Sequence, residues 1–449
     1  MRAENCVPSP GGYDPLAAPV ATSNVLTGKT VRGAARFADA SANLVYVAGT
    51  TAGDLIVSRS GTSTTTSTGR ALAAGTSWYF AQFNNLCFAV ATGQKVYYLP
   101  NLNSSTLWVA VDTVSTTSPP PNSAVVGRIG EFLVLGNTSV SPSQVVWSPY
   151  NNPIGDYITD ARTQSDKFTF PQDFGAVTAI VAEPFPMVLQ ARAVWRFRPT
   201  GGAPVFTRIP AAREIGAIST GAVVSTGQRT VFLARDGFYS TDGSSVSSIG
   251  NSRVNEAFFR EADSSRLKEV HGVVNWKDEC VVWAYATEGQ ANFNKMIIWS
   301  YAQDRWSTAA VDVQYLTEAA NSALTASDLD TIYGNSDAVP FAMDADVFRA
   351  RGDVLGAWRT DGANSVFSTF TGSPLEATFE TGYFQPRPGS FTFVDGIRPL
   401  VENGDQSSTA AAITAGPVPG GSRSVSDHSA IEADGFAPQY VEAAFMGAS

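Results

Sequence analysis

Histidine is nearly missing from this sequence. His271 and His428 are the only two in 449 residues. A Ser-His-Asp triad or a histidine-based metal centre would have to use one of them. His271 lies in the strand-like run Glu269–Trp276 and His428 in a Ser/Asp-rich stretch, so a strand histidine and a loop histidine are the plain readings. Cysteine is also scarce. Cys6, Cys87 and Cys280 are far apart and odd in number, which gives neither a metal spacing nor a disulfide framework. Each reads as a small buried apolar residue. Charge is short as well, at 16% of residues, against roughly 25% in an average soluble protein. Acids outnumber bases 40 to 30, a net charge of −10, and only six of the bases are Lys. Such a chain is poorly equipped to wrap nucleic acid, which needs clustered cations. No run of about 18 apolar residues occurs, so no membrane span is expected. The segment after Met1 is Pro/Gly-rich rather than an apolar signal core, and synthesis and assembly in the cytosol are expected. Gly-x-Ser-x-Gly, P-loop, Gly-x-Gly-x-x-Gly and His-Glu-x-x-His motifs are all missing.

What is present is strand. Apolar residues make up 44% of the chain, and they fall in short runs of Val, Ile, Leu, Phe, Tyr and Trp separated by turns. Asn43–Gly49 is followed by Asp54–Ser58, Asn85–Val90 by Lys95–Leu99, and Glu131–Leu135 by Gln144–Trp147. Pro186–Leu189 is followed by Ala193–Phe197, Arg229–Leu233 by Phe238–Ser240, and Glu279–Tyr285 by Lys295–Tyr301. A seventh, weaker unit combines Asp330–Tyr333, Val339–Met343 and Asp346–Phe348. The period of these hairpins, about 40 to 50 residues, is that of propeller blades. The expected fold class is all-β: a β-propeller of six to seven blades over residues 29–365. It would be preceded by an extended arm (1–28) and followed by a C-terminal β unit (366–449). That unit would include the runs Leu375–Phe379, Gly382–Phe384, Phe391–Val394 and Ile397–Val401, and a mobile Gly/Ser/Pro loop over Asn403–Ser426. Helix signals are confined to Ser252–Ser265, capped by Asn251 or Ser252, and to Ala-rich Thr317–Asp328.

Candidate sites are few, and each has a structural reading. Asp236-Gly237 and Asp242-Gly243 mark two tight turns around one short strand. They resemble Asp-box turns but lack the Ser-x-Asp-x-Gly-x-Thr-Trp order. Asp344 and Asp346 lack the further oxygen ligands of a calcium loop. Trp147, Trp283, Trp299 and Trp306 recur at strand ends, where indoles would pack between blades. Arg192, Arg196 and Arg198 alternate and would share one face of a strand. No catalytic, cofactor-binding or metal-ligating residue is assigned, and no enzyme activity or cofactor is expected.

The order of several elements resembles one family. These are Pro10-Gly11-Gly12-Tyr13, Trp78–Phe83, Val125–Gly136, Val146-Trp147-Ser148, Phe232–Tyr239, Ser248–Val254, Trp299–Ser307 and Glu380–Tyr383. Together they look like the tail nozzle, or packaged-DNA stabilisation, proteins of short-tailed double-stranded DNA phages. The resemblance implies a structural virion protein that forms a homo-oligomeric ring, six-fold in the family. The ring would sit below the portal and its adaptor, line the DNA exit channel, retain the packaged genome and join tail fibres or a spike. Contact with the packaged duplex would be transient and non-specific. An acidic, Lys-poor wall repels phosphates, which suits passage rather than binding. The opposing expectations are a glycan-binding or glycan-degrading propeller and a neck or connector protein of a long-tailed phage.

Overall fold

The computed structural model describes residues 2–320, except Ser60 and Ala203, and residues 352–380. The seventh hairpin expected at 330–348, Asp344, Asp346, His428 and the β runs from 382 onward lie outside the described residues.

Seven sheets follow one another around a ring, each with a four-stranded antiparallel unit; in the first six blades those four strands run in sequence order. Blade 1 comprises Val31–Ala38, Leu44–Thr50, Asp54–Arg59 and Thr62–Ser67. Blades 2 to 6 begin with Tyr79–Phe83, Ser123–Ile129, Val177–Val181, Val223–Ser225 and His271–Asn275. Blade 7 combines Tyr315–Ala320, Asp353–Asp361 and Asn364–Pro374 with Ala17–Leu26 as its outermost strand. An N-terminal strand and the late strands of the described chain therefore share one sheet, which closes the ring.

The two middle strands of each blade are covered on both faces by neighbouring blades, so they read as unbroken apolar runs. All six residues of Cys280–Tyr285 are buried, as are all four of Thr230–Leu233. The core consists of seven apolar clusters among the described residues, one at each blade-to-blade interface. Val45, Val57, Cys87 and Leu99 join blades 1 and 2 around Trp78. Leu26, Val31, Ile56, Trp358 and Phe367 seal blade 7 against blade 1. Large indoles reach across these interfaces because glycine makes room for them. A Cβ at Gly272 would lie 2.5 Å from Trp283, and one at Gly49 would lie 2.2 Å from Trp78.

Five expectations are redrawn. Residues 1–28 do not form a separate arm: Ala17–Leu26 belongs to blade 7, and Arg2–Glu4 runs parallel to the last strand of blade 6. The boundary at 365/366 falls inside Asn364–Pro374, and the compact unit that holds the propeller ends at Glu380. The reason is ring closure: the last sheet recruits the N-terminal strand to cover its edge. Thr378–Glu380, which falls within the expected C-terminal unit, pairs instead with Arg2–Glu4 and extends blade 6 to six strands. The expected helix is shorter than its pattern. An α-helix covers Asn255–Glu261, its N-cap is Val254 with no side-chain cap, and Ser264–Glu269 is a 3₁₀ helix. Thr317–Ala320, read as the start of a helix, continues the first strand of blade 7, where burial among Tyr315, Ala319 and Trp358 outweighs alanine's helix preference.

Candidate functional site

The first strands of the blades surround the central axis, and they begin at the same end of it. There the axis is filled. His271 lies flat on Tyr315, with centroids 4.1 Å apart, and edge-on to Phe293 at 4.7 Å. Its Nε2 accepts the Leu316 N–H at 3.0 Å, so Nδ1 carries the proton and donates to the Glu269 carbonyl at 3.1 Å. Burial holds the imidazole neutral and pushes its pKa down to about 3. Glu269 lies 2.7 Å from the Arg266 guanidinium and 3.4 Å from that of Arg32. Both arginines sit over the Phe293 ring, at 4.9 and 5.1 Å. Tyr79 of blade 2 hydrogen-bonds Ser77, Thr220 and the Gly221 backbone, and burial raises its phenol to about 12. The Thr220 hydroxyl donates in turn to the Thr178 carbonyl of blade 4. These groups pair with one another across the ring, and both nitrogens of the one histidine are engaged. The arrangement holds blades together and offers no poised nucleophile or base.

The second feature is a cleft of about 520 Å³ between blades 3 and 4, within the size range of small-molecule sites. Its wall is the connection from 148 to 165 between the third and fourth strands of blade 3. An ordered loop of that length is uncommon without a role. Trp147 Nε1 donates to the Gln164 carbonyl, Tyr150 N–H to Thr163, and Tyr157 N–H to Ser118. Asp156 accepts from Ser115 Oγ at 2.7 Å and from the Ser118 N–H, which holds its carboxyl below the usual range. Phe132, Tyr150, Glu131, Arg162, Gln164 and Val205 line the cleft. Tyr150 is 57% exposed and meets Phe132 edge-on. Glu131 is the one carboxylate in the lining among the described residues, whereas glycoside hydrolysis takes two. The cleft can stack and hydrogen-bond a polar ring. The sequence reading missed these residues. Their available signal was the length of the loop between Trp147 and Asp166.

The residues singled out in the sequence take structural places. Trp147 and Trp283 are buried, and Trp283 Nε1 reaches the Ala222 carbonyl of blade 5 at 3.2 Å. Trp299 donates to Asp304, and Trp306 lies against Trp283, Trp299 and Phe238. Asp242 accepts from the backbone and hydroxyls of Ser244 and Ser245, which holds its carboxyl well below the usual range. Gly237 lets Asn255 close on its turn; a Cβ there would lie 2.0 Å from Asn255 Nδ2. The three cysteines are buried and free, and burial raises all three thiols. The arginine stripe is divided. Arg196 and Arg198 share a face of Ala193–Pro199, whereas Arg192 sits in the preceding turn and donates to the Asp173 carbonyl. Among the described residues, no cluster of three His, Cys, Asp or Glu could hold a metal ion, and no helix is long and apolar enough to cross a membrane.

No protein-family model matches the sequence, and no curated protein matches it either. Among solved structures, BamB from Moraxella catarrhalis is similar at 10% identity with a TM-score of 0.40, covering 79% of this chain and 84% of that one. YCF48 bound to D1 peptide is similar at 8% identity with a TM-score of 0.38, covering 68% and 86%. At such levels the architecture rests on this chain's own strand pairing, which is that of a seven-bladed β-propeller.

Proposed function

We propose that the chain is a structural subunit of a double-stranded DNA phage tail, a nozzle or connector that packs into a homo-oligomeric ring around the DNA exit path. In this reading it assembles in the host cytoplasm, joins the portal and adaptor to fibres or spike, and is not an enzyme. The observation that carries the packing is the character of the outer edges. The outermost strands of blades 1, 2, 5 and 7 are Thr62–Ser67, Val109–Ala110, Val246–Ser248 and Ala17–Leu26, and none contains a charged residue. A free edge strand is ordinarily protected by charge. The ten-residue edge of blade 7 instead carries Val20 and Val25, each 46% exposed. Such edges suit burial against neighbouring subunits, whose interface cores are depleted in charge. Because the propeller axis is filled, a path for duplex DNA in this reading lies between copies. Native mass spectrometry of the full chain, alone and with an adaptor ring, tests it: closed rings are expected. Monomers under both conditions, with no incorporation into virions, would overturn it.

The cleft favours a second reading, a glycan-binding tail protein. Titration with surface polysaccharide of the host distinguishes the two. Saturable binding lost in Tyr150→Ala, with no ring formation, would favour glycan recognition.

A further inference from the structure

The outer hairpin of blade 4 departs from the composition of the whole chain. Residues 192–213 contain Arg192, Arg196, Arg198, Arg208 and Arg213 and no Asp or Glu, in a protein of net charge −10. Its strands, Ala193–Pro199 and Phe206–Arg213, run past the four-residue strand Met187–Gln190 on which they are built. Arg208 is spent on the Phe168 ring, 3.3 Å away, and Arg196 on Phe185 at 5.4 Å. Arg198 and Arg213 are exposed and form no ion pair among the described residues, while Arg192 lies 3.9 Å from Glu214. Between the arginines, Ile209 is 53% exposed.

The complementary surface is on the same chain. Blades 6 and 7, over 271–320 and 353–380, hold ten acids and four bases, and blade 7 is across the ring from blades 3 and 4. Glu288, Asp312 and Asp361 are exposed without an ion pair among the described residues. The Asn292–Thr360 hydrogen bond joins the turn that holds Glu288 to the strand that ends at Asp361. Exposed Val20 and Val25 on the outer strand of blade 7 match Ile209.

We propose that the blade 4 arginine hairpin of one copy docks on the acidic blade 6–7 sector of the next. Two different patches on opposite sides of one molecule give a head-to-tail contact, the kind that closes into rings. An apolar centre with arginine and acid around it matches the anatomy of such interfaces. Pro210 on one edge and Pro19 on the other lack the N–H a strand ladder needs, so the contact is made by side chains. This inference rests on the ring reading above.

Two full-length variants test it, each checked for an unchanged circular dichroism spectrum. One is Arg198→Glu with Arg213→Glu; the other is Glu288→Arg with Asp361→Arg. Each alone should associate at least tenfold more weakly than the wild type. An equimolar mixture should restore alternating rings, because each reversed patch then meets its complement. Undiminished assembly of the arginine variant overturns the docking while leaving the ring reading standing. Two monomeric variants that fail to rescue one another overturn the assignment of the acidic sector. Salt-dependent binding of duplex DNA that disappears in the arginine variant, with assembly unchanged, assigns the hairpin to a polyanion and overturns the proposal. A wild type that never assembles sinks the ring reading and the docking with it.

Discussion

At the scale of single residues, the blade interfaces depend on indoles with no room to spare. Trp78 has no exposed surface, and Gly49 lies against its ring. Gly49→Ala therefore drives a methyl group into the indole, and overpacking of this kind costs about 1–3 kcal/mol. A lower denaturant midpoint with an unchanged m-value is the expected result. Truncating Trp283, which is also fully buried and bonded to blade 5, should cost more, about 3–5 kcal/mol. His271 gives a pH signature. The unfolded chain binds a proton at this histidine near pH 6.5, whereas the folded chain binds one only near pH 3. Its contribution is complete above pH 6.5 and falls away as the pH drops toward 3, because the unfolded state takes up the proton first. Between pH 7.5 and 5 the loss is about 2 kcal/mol. Gln can accept from Leu316 N–H and donate to the Glu269 carbonyl without titrating. Urea melts of His271→Gln should show a flatter pH dependence than the wild type by about that amount.

At the scale of elements, ring closure depends on the N-terminal strands. Cys6, Val7, Leu16 and Leu26 are buried, Leu16 within the blade 6–7 cluster and Leu26 within the blade 7–1 cluster. At about 1.5–3 kcal/mol for each fully buried side chain, their loss approaches the whole stability of a typical protein, about 5–15 kcal/mol. Deletion of residues 2–26 should abolish cooperative thermal unfolding, and a synthetic peptide of residues 1–27 should restore it. The same strands show why part of the fold was legible in the sequence and part was not. The doubly covered middle strands, such as Val281–Tyr285 and Ile297–Trp299, read as apolar runs at blade spacing. The axis strands carry mixed side chains such as Arg32, Arg36 and Thr317, and the outer strands read as Ser/Thr loops. Nothing local in Ala17–Leu26 says that it pairs with Asn364–Pro374, since the pairing is set by closure. The cleft was illegible for a related reason: Tyr150, Arg162 and Gln164 are joined by a loop whose course depends on Asp156 and Trp147, not on any motif.

At the scale of the whole molecule, the filled axis separates the propeller's stability from any gating. Tyr79, Arg32, Glu269, Arg266 and His271 join blades that are distant in sequence. Removing one weakens the ring, and the space it leaves is the size of a side chain, far smaller than a duplex. Tyr79→Ala should therefore lower stability by about 1–3 kcal/mol and, in the proposed tail reading, leave genome retention untouched. Under that proposal, virions carrying the variant should expose their DNA to nuclease at the same temperature as the wild type as long as the protein itself stays folded. If the path ran through the propeller, the widened axis would leak DNA below that temperature, and the proposed passage would have to be moved from between the copies to the centre of each one.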